Sequence, residues 1–133
     1  MLVRELMSSP PVTIDSASDV ANAAETLRRH GFTALPVLDD DGRLIGIVTE
    51  ADLLDGRVEP DVRRGRPERP RHLRRGDTVG EVMTSPVESL TPGADVADAV
   101  EIMLDERIRC LPVVDGRHIV GVITRRDLLR AIN

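Results

Sequence analysis

The stretch Gly121-Val122-Ile123-Thr124-Arg125-Arg126-Asp127-Leu128-Leu129 has a twin in Gly46-Ile47-Val48-Thr49-Glu50-Ala51-Asp52-Leu53-Leu54, identical at five of nine positions at an offset of 75. Outward from this pair, residues 7–38 laid over 83–114 at an offset of 76, without gaps, match at 11 of 32 positions. Ordinary residue frequencies would give about three matches over the 41 positions compared, so the chain is a duplication of one unit. The period is too long for a solenoid. Two units of this size imply two supersecondary modules that share a core, related by an approximate two-fold axis, with a cleft where they meet.

The order of signals is the same in each copy. A short alternating strand (Val12-Thr13-Ile14; Val87 to Leu90) precedes a helix start marked by Ser16 and Asp19, or by Pro92 and Asp95. Val20, Ala23, Ala24 and Leu27 form one apolar stripe at helical spacing, and Val96, Ala99, Val100 and Met103 form its copy. Leu35-Pro36-Val37-Leu38 and Leu111-Pro112-Val113-Val114 read as second strands, with proline near the start or on an edge. The turns Asp41-Gly42 and Asp115-Gly116 lead into apolar third strands, Leu44 to Val48 and Ile119 to Ile123. A last helix opens at Thr49-Glu50-Ala51-Asp52 or Thr124-Arg125-Arg126-Asp127. Each copy is therefore expected to be β-α-β-β-α, and the fold an α/β (α+β) pair packed with pseudo-two-fold symmetry.

At 133 residues and 14.6 kDa, with 41% hydrophobic and 31% charged residues, one compact domain is expected. All 18 basic residues are arginines, which excludes a P-loop lysine, a Schiff-base lysine and a kinase-type lysine clamp. Trp and Tyr are absent and Phe32 is the only aromatic residue, so base stacking on single-stranded nucleic acid has no platform. Cys110 has no disulfide partner, and His30, His72 and His118 lack metal-ligand spacing. No signal sequence or membrane-length apolar run is present, and the expected location is cytoplasmic. No nucleophile-elbow or zinc-protease motif occurs, so the chain is not read as an enzyme and no metal or required cofactor is expected.

Residues 56–76 separate the copies, giving a first repeat over 1–55, a connector, and a second repeat over 77–133. The connector holds eight arginines against three acids, while the whole chain carries a net charge of −5. Its prolines and glycines read as an extended tether. Two other readings stay open: guanidinium groups such as Arg63 and Arg64 fold over a cleft and meet phosphates, or the segment attaches to an acidic partner or nucleic acid. The acidic body and the lack of interleaved aromatics weigh against nucleic acid.

The Thr-x-x-Asp pairs also carry two readings. In one they are capping boxes, in which the threonine oxygen and the aspartate each satisfy a free backbone N–H. In the other, the helix start attracts phosphate and the aspartate accepts hydrogen bonds from a ribose diol.

Met83-Thr84-Ser85-Pro86-Val87, then Leu111-Pro112-Val113-Val114-Asp115, then Gly121 to Leu129 resembles a CBS motif. Met7-Ser8-Ser9-Pro10, Leu35-Pro36-Val37 and Gly46 to Leu54 follow the same pattern, so the resemblance covers nearly everything but the connector. It implies a CBS pair, or Bateman module: a regulatory unit whose clefts, in many members, bind AMP, ADP, ATP or S-adenosylmethionine, and which pairs with a second module through its helix faces. It further implies that each cleft joins the Thr-x-x-Asp of one copy to the first strands of the other. The first site would combine Thr124, Arg126 and Asp127 with Thr13, Phe32, Thr33 and Ala34, with Arg125 near a phosphate. The second would combine Thr49, Ala51 and Asp52 with Ser89, Ile108, Arg109 and Cys110. Glu50 would lie beside the second site's phosphate, partly offset by Arg109, so the two sites are expected to be unequal. The expected function is a non-catalytic sensor that acts on an unknown protein in trans. A ligand-free structural homodimer is the alternative.

Overall fold

The computed structural model describes residues 1–54, 77–106 and 108–131. In chain order the elements are α1 (Val3–Leu6), β1 (Ile14–Asp15), α2 (Val20–His30), β2 (Ala34–Leu38), β3 (Leu44–Thr49) and α3 (Glu50–Leu53). The second half continues with α4 (Val79–Val82), α5 (Val96–Glu106), β4 (Cys110–Asp115), β5 (His118–Thr124) and α6 (Arg125–Arg130). The first sheet has the order β1-β2-β3, with β1 parallel and β3 antiparallel to β2, and the second is the antiparallel pair β4-β5. The fold is α+β, and the two copies keep the same design down to a bulge at Val37/Leu38 and its twin at Val113/Val114.

The first strands are shorter than the alternation predicts. β1 is only Ile14–Asp15, and in the second half the strand expected over Val87 to Leu90 shrinks to one parallel bridge between Leu90 and Val113. Leu90 still donates its N–H to Pro112 O at 3.0 Å and accepts from Val114 N at 2.7 Å. Long helices α2 and α5 start where expected, but Asp19 rather than Ser16 caps α2, accepting from Asn22 N at 2.7 Å. Asp95 accepts from Ala97 N at 2.9 Å at the start of α5. Gly31 closes α2 with φ +67°, a left-handed conformation that glycine adopts without steric cost.

The short turns α1 and α4 have no counterpart in the sequence expectation, and they change how the halves interlock. Val3 of α1 is fully buried with Ala99, Met103, Leu111 and Ile123 of the second half. Val79 and Val82 of α4 are buried with Val20, Leu27, Leu35 and Val48 of the first. Each turn thus completes the opposite core. Backbone bonds repeat the exchange in duplicate. Val3 N and Arg4 N donate to Ala94 O and Pro92 O at 2.8 and 3.0 Å, as Val79 N and Gly80 N donate to Ser18 O and Ser16 O at 2.8 and 2.9 Å. Val96 N and Val20 N, orphan donors at the first turns of α5 and α2, reach Met1 O and Asp77 O at 2.9 and 3.0 Å.

The residues that follow each exchanged turn lie on the opposite sheet. Ser8 and Val122 exchange backbone bonds at 2.8 and 3.0 Å, as Thr84 and Ile47 do at 2.8 and 3.0 Å. Met7 covers Gly121, where a Cβ would sit 2.5 Å from its sulfur, and Met83 covers Gly46, where the distance would be 2.6 Å. The backbone oxygens of Thr84 and Ser8 would lie 2.9 and 3.0 Å from the same Cβ positions of Gly46 and Gly121, and backbone cannot swing aside as a methionine side chain can, so both positions favour glycine.

Candidate functional site

The exchange places the start of each last helix against the start of the other half's second strand, and a cavity opens at each of the two junctions. The first is about 500 Å³ and the second about 680 Å³, within the range of small-molecule sites.

The first cavity brings together Thr124, Arg125, Arg126 and Asp127 with Phe32, Thr33 and Ala34. Thr13 is not in its wall. Its neighbours Pro11 and Val12 are. The second gathers Thr49, Ala51, Ile108, Arg109 and Cys110, together with Glu50. Ser89 also falls outside it, next to Glu88, which lines it. Asp52 is also outside the wall: its carboxylate is turned onto Thr49 N at 3.0 Å and the Thr84 hydroxyl at 3.2 Å. Arg63 and Arg64 lie outside the described residues.

Both Thr-x-x-Asp pairs form the capping box. Asp52 N and Asp127 N each donate to the threonine oxygen at 3.3 Å, and the aspartates accept from Thr49 N and Thr124 N at 3.0 and 2.9 Å. Asp127 is 2% exposed, and a carboxylate so buried is sustained only by donors. It has them in Ser8 Oγ at 3.1 Å, Thr124 N, and the guanidinium of Arg130. Ser8 and Thr84 occupy matching places, each clamping the aspartate of the other half. The hydroxyl shared by Met-Ser-Ser-Pro and Met-Thr-Ser-Pro was the available sign of this role, and sequence reasoning missed it.

The charge of the two cavities differs sharply. Arg109, Arg125, Arg126 and Arg130 line the first against the single carboxylate of Asp127. Glu50, Glu88 and Glu106 line the second against Arg109 alone. Because α6 spans six residues and α3 four, the first cavity's attraction for anions comes from these side chains rather than from a helix macrodipole.

Between the cavities stands a wall that both share, formed by Thr33-Ala34 and their repeat equivalents Arg109-Cys110. Burial, and secondarily the charge of Asp127, pushes the Cys110 thiol up to about 12, so it stays protonated and unreactive. Phe32 is 39% exposed at the edge of the first cavity, with His30 stacked on it at 5.1 Å between ring centroids. Among the described residues no group of three or more His, Cys, Asp or Glu side chains is placed to hold a metal ion, and no helix is long and apolar enough to cross a membrane.

This architecture has close relatives. A CBS domain-containing protein of Dictyostelium discoideum is 32% identical over 132 residues, 97% of this chain and 89% of that protein. An uncharacterised protein of Methanocaldococcus jannaschii is 30% identical over 98% of this chain, which spans 31% of it. The chain spans 62% and 39% of two further relatives. The crystal structure of CBSX2 in complex with AMP superposes with a TM-score of 0.79 at 28% identity, covering 98% of this chain and 95% of that one. A CBS domain pair crystallised with 5′-methylthioadenosine and S-adenosyl-L-methionine superposes at 0.77 and 28% identity, covering 99% and 95%. The family model for the CBS domain matches residues 3–59 and 79–133, and the chain therefore belongs to the CBS domain family, with two copies in tandem.

Proposed function

We propose that this chain is a regulatory, non-catalytic module that binds an adenosine-containing ligand between its two halves and passes that event to a partner protein. The observation that carries the reading is the first cavity: three arginines from the start and end of α6, a buried aspartate, and the ring of Phe32 line one 500 Å³ space. Guanidinium groups suit phosphates, an aromatic edge suits a purine, and a carboxylate suits a ribose diol. The relatives crystallised with AMP and with S-adenosyl-L-methionine support this ligand class. Asp127 is saturated by protein donors, so a ribose must displace one. Arg130 is the one to yield, since its side chain is 62% exposed while Ser8 and Thr124 are held in backbone pairings.

The two repeats are taken as 1–55 and 77–133, joined by the connector 56–76, which lies outside the described residues. A second reading, self-association as a homodimer, is favoured by the apolar face of α5 and α6, where Leu104 and Leu129 are 71% and 67% exposed.

Equilibrium dialysis tests the ligand reading. Without Trp or Tyr the protein hardly absorbs where adenine does, so uptake of AMP, ADP, ATP or S-adenosylmethionine is read directly. Saturable uptake is expected, with Arg126→Ala weakening ATP about tenfold or more through the loss of one charge-assisted contact. No uptake of any of the four at ~100 μM protein, a concentration that reveals even weak sites, would withdraw the ligand reading in favour of self-association.

A further inference from the structure

Building on the ligand reading above, we propose that Arg109 is shared by the two cavities and couples them. A polyanion in the first then raises the affinity of the second for a positively charged adenosyl ligand and lowers its affinity for another polyanion.

Three observations carry this. Repeat symmetry sets Arg125 against Glu50, Arg126 against Ala51, and Val12 against Glu88, and every exchange makes the first cavity more positive or the second more negative. The second cavity, with Glu50, Glu88 and Glu106, is thus built for a cation or an uncharged ligand, and only Arg109 tempers it. Arg109 lies in the shared wall, where the first half has the neutral Thr33, so one guanidinium borders both spaces. It is exposed and makes no ion pair or hydrogen bond with the other described residues, so none of them competes for it.

A phosphate chain beside Arg125 and Arg126 draws this guanidinium towards it, because charge-assisted pairing favours the more anionic neighbour. The three glutamates are then left without their counter-charge, and a sulfonium or ammonium group becomes the better occupant of the second cavity. Linkage makes the effect reciprocal: a cation in the second cavity repels Arg109 towards the first and strengthens the polyanion there by the same factor.

The test measures the affinity of S-adenosylmethionine, a net cation, by titration calorimetry in the absence and presence of saturating ATP, for wild type and Arg109→Met. In the wild type ATP is expected to tighten S-adenosylmethionine binding roughly fivefold, at the lower end of ordinary allosteric coupling. In Arg109→Met, S-adenosylmethionine should bind tightly without ATP, and ATP should change its affinity less than about twofold. Unchanged or weakened S-adenosylmethionine binding in wild type on adding ATP overturns the proposal, weakening being the mark of competition for one site. So does an equal coupling factor in Arg109→Met. Binding without coupling defeats this inference alone, whereas failure of both probes to bind the wild type defeats the ligand reading and this inference together.

Discussion

At the scale of single residues, burial and charge give Cys110 a property that can be measured without any ligand. Its thiol is pushed up to about 12 from an ordinary value of 9.0, so the folded chain holds this proton more tightly than the unfolded chain does. Its contribution to stability is therefore complete below pH 9 and is lost as pH rises from 9 towards 12, by at most about 1.4 kcal/mol per pH unit. With no lysine and no tyrosine in the chain, little else titrates in that window. Urea melts at stepped alkaline pH should show a falling stability in wild type and a flatter limb in Cys110→Ala, offset by the cost of the small cavity. Parallel limbs would mean that the thiol is not the group responsible. Phe32, Thr33 and Arg109 matter for a different reason, since each is exposed and draws its meaning from the cavity wall it occupies rather than from packing.

At the scale of elements, the chain reads clearly where the local signal is strong. The apolar stripes of α2 and α5, the Thr-x-x-Asp capping boxes and the two strand hairpins follow from spacing that local physics enforces. The first strands and the turns α1 and α4 do not, because Val3-Arg4-Glu5-Leu6 and Val79-Gly80-Glu81-Val82 are too short to be helical by propensity and are held by distant carbonyls. The sites were legible in the same uneven way. Thr124, Arg126 and Asp127 stand out as a motif, while Glu88 and Glu106 enter the second cavity only through folding. The exchanged turns make a direct prediction. Val79→Ala removes buried methyl groups from the first core although residue 79 begins the second half, and it should cost about 2 kcal/mol in chemical denaturation. Hydrogen exchange should localise the loosening to α2 and β2. Loosening confined to α5 and β4 would show that α4 does not complete the opposite core.

At the scale of the whole molecule, pseudo-symmetry in the backbone is accompanied by asymmetry on the surface. Val100 and Leu104 of α5 stand where α2 carries Ala24 and Arg28, so the exposed apolar helix face belongs to the second half. Two copies meeting there would bury these groups, and sedimentation is expected to give a dimer that Leu104→Asp converts to monomer, a buried unpaired charge being costly. A wild-type monomer would leave the face to another partner. The interlocked cores carry one more consequence, and it concerns time. During synthesis the first half leaves the ribosome with α2 and β2 made, but Val79 and Val82, which fill the gap beside them, arrive only after the arginine-rich connector has been translated. Val3 waits longer still, since Ala99, Met103 and Leu111 are made roughly a hundred residues after it. At ordinary elongation rates that is a delay of several seconds, during which the second core cannot close and the nascent chain must keep Val3 and its neighbours out of other contacts.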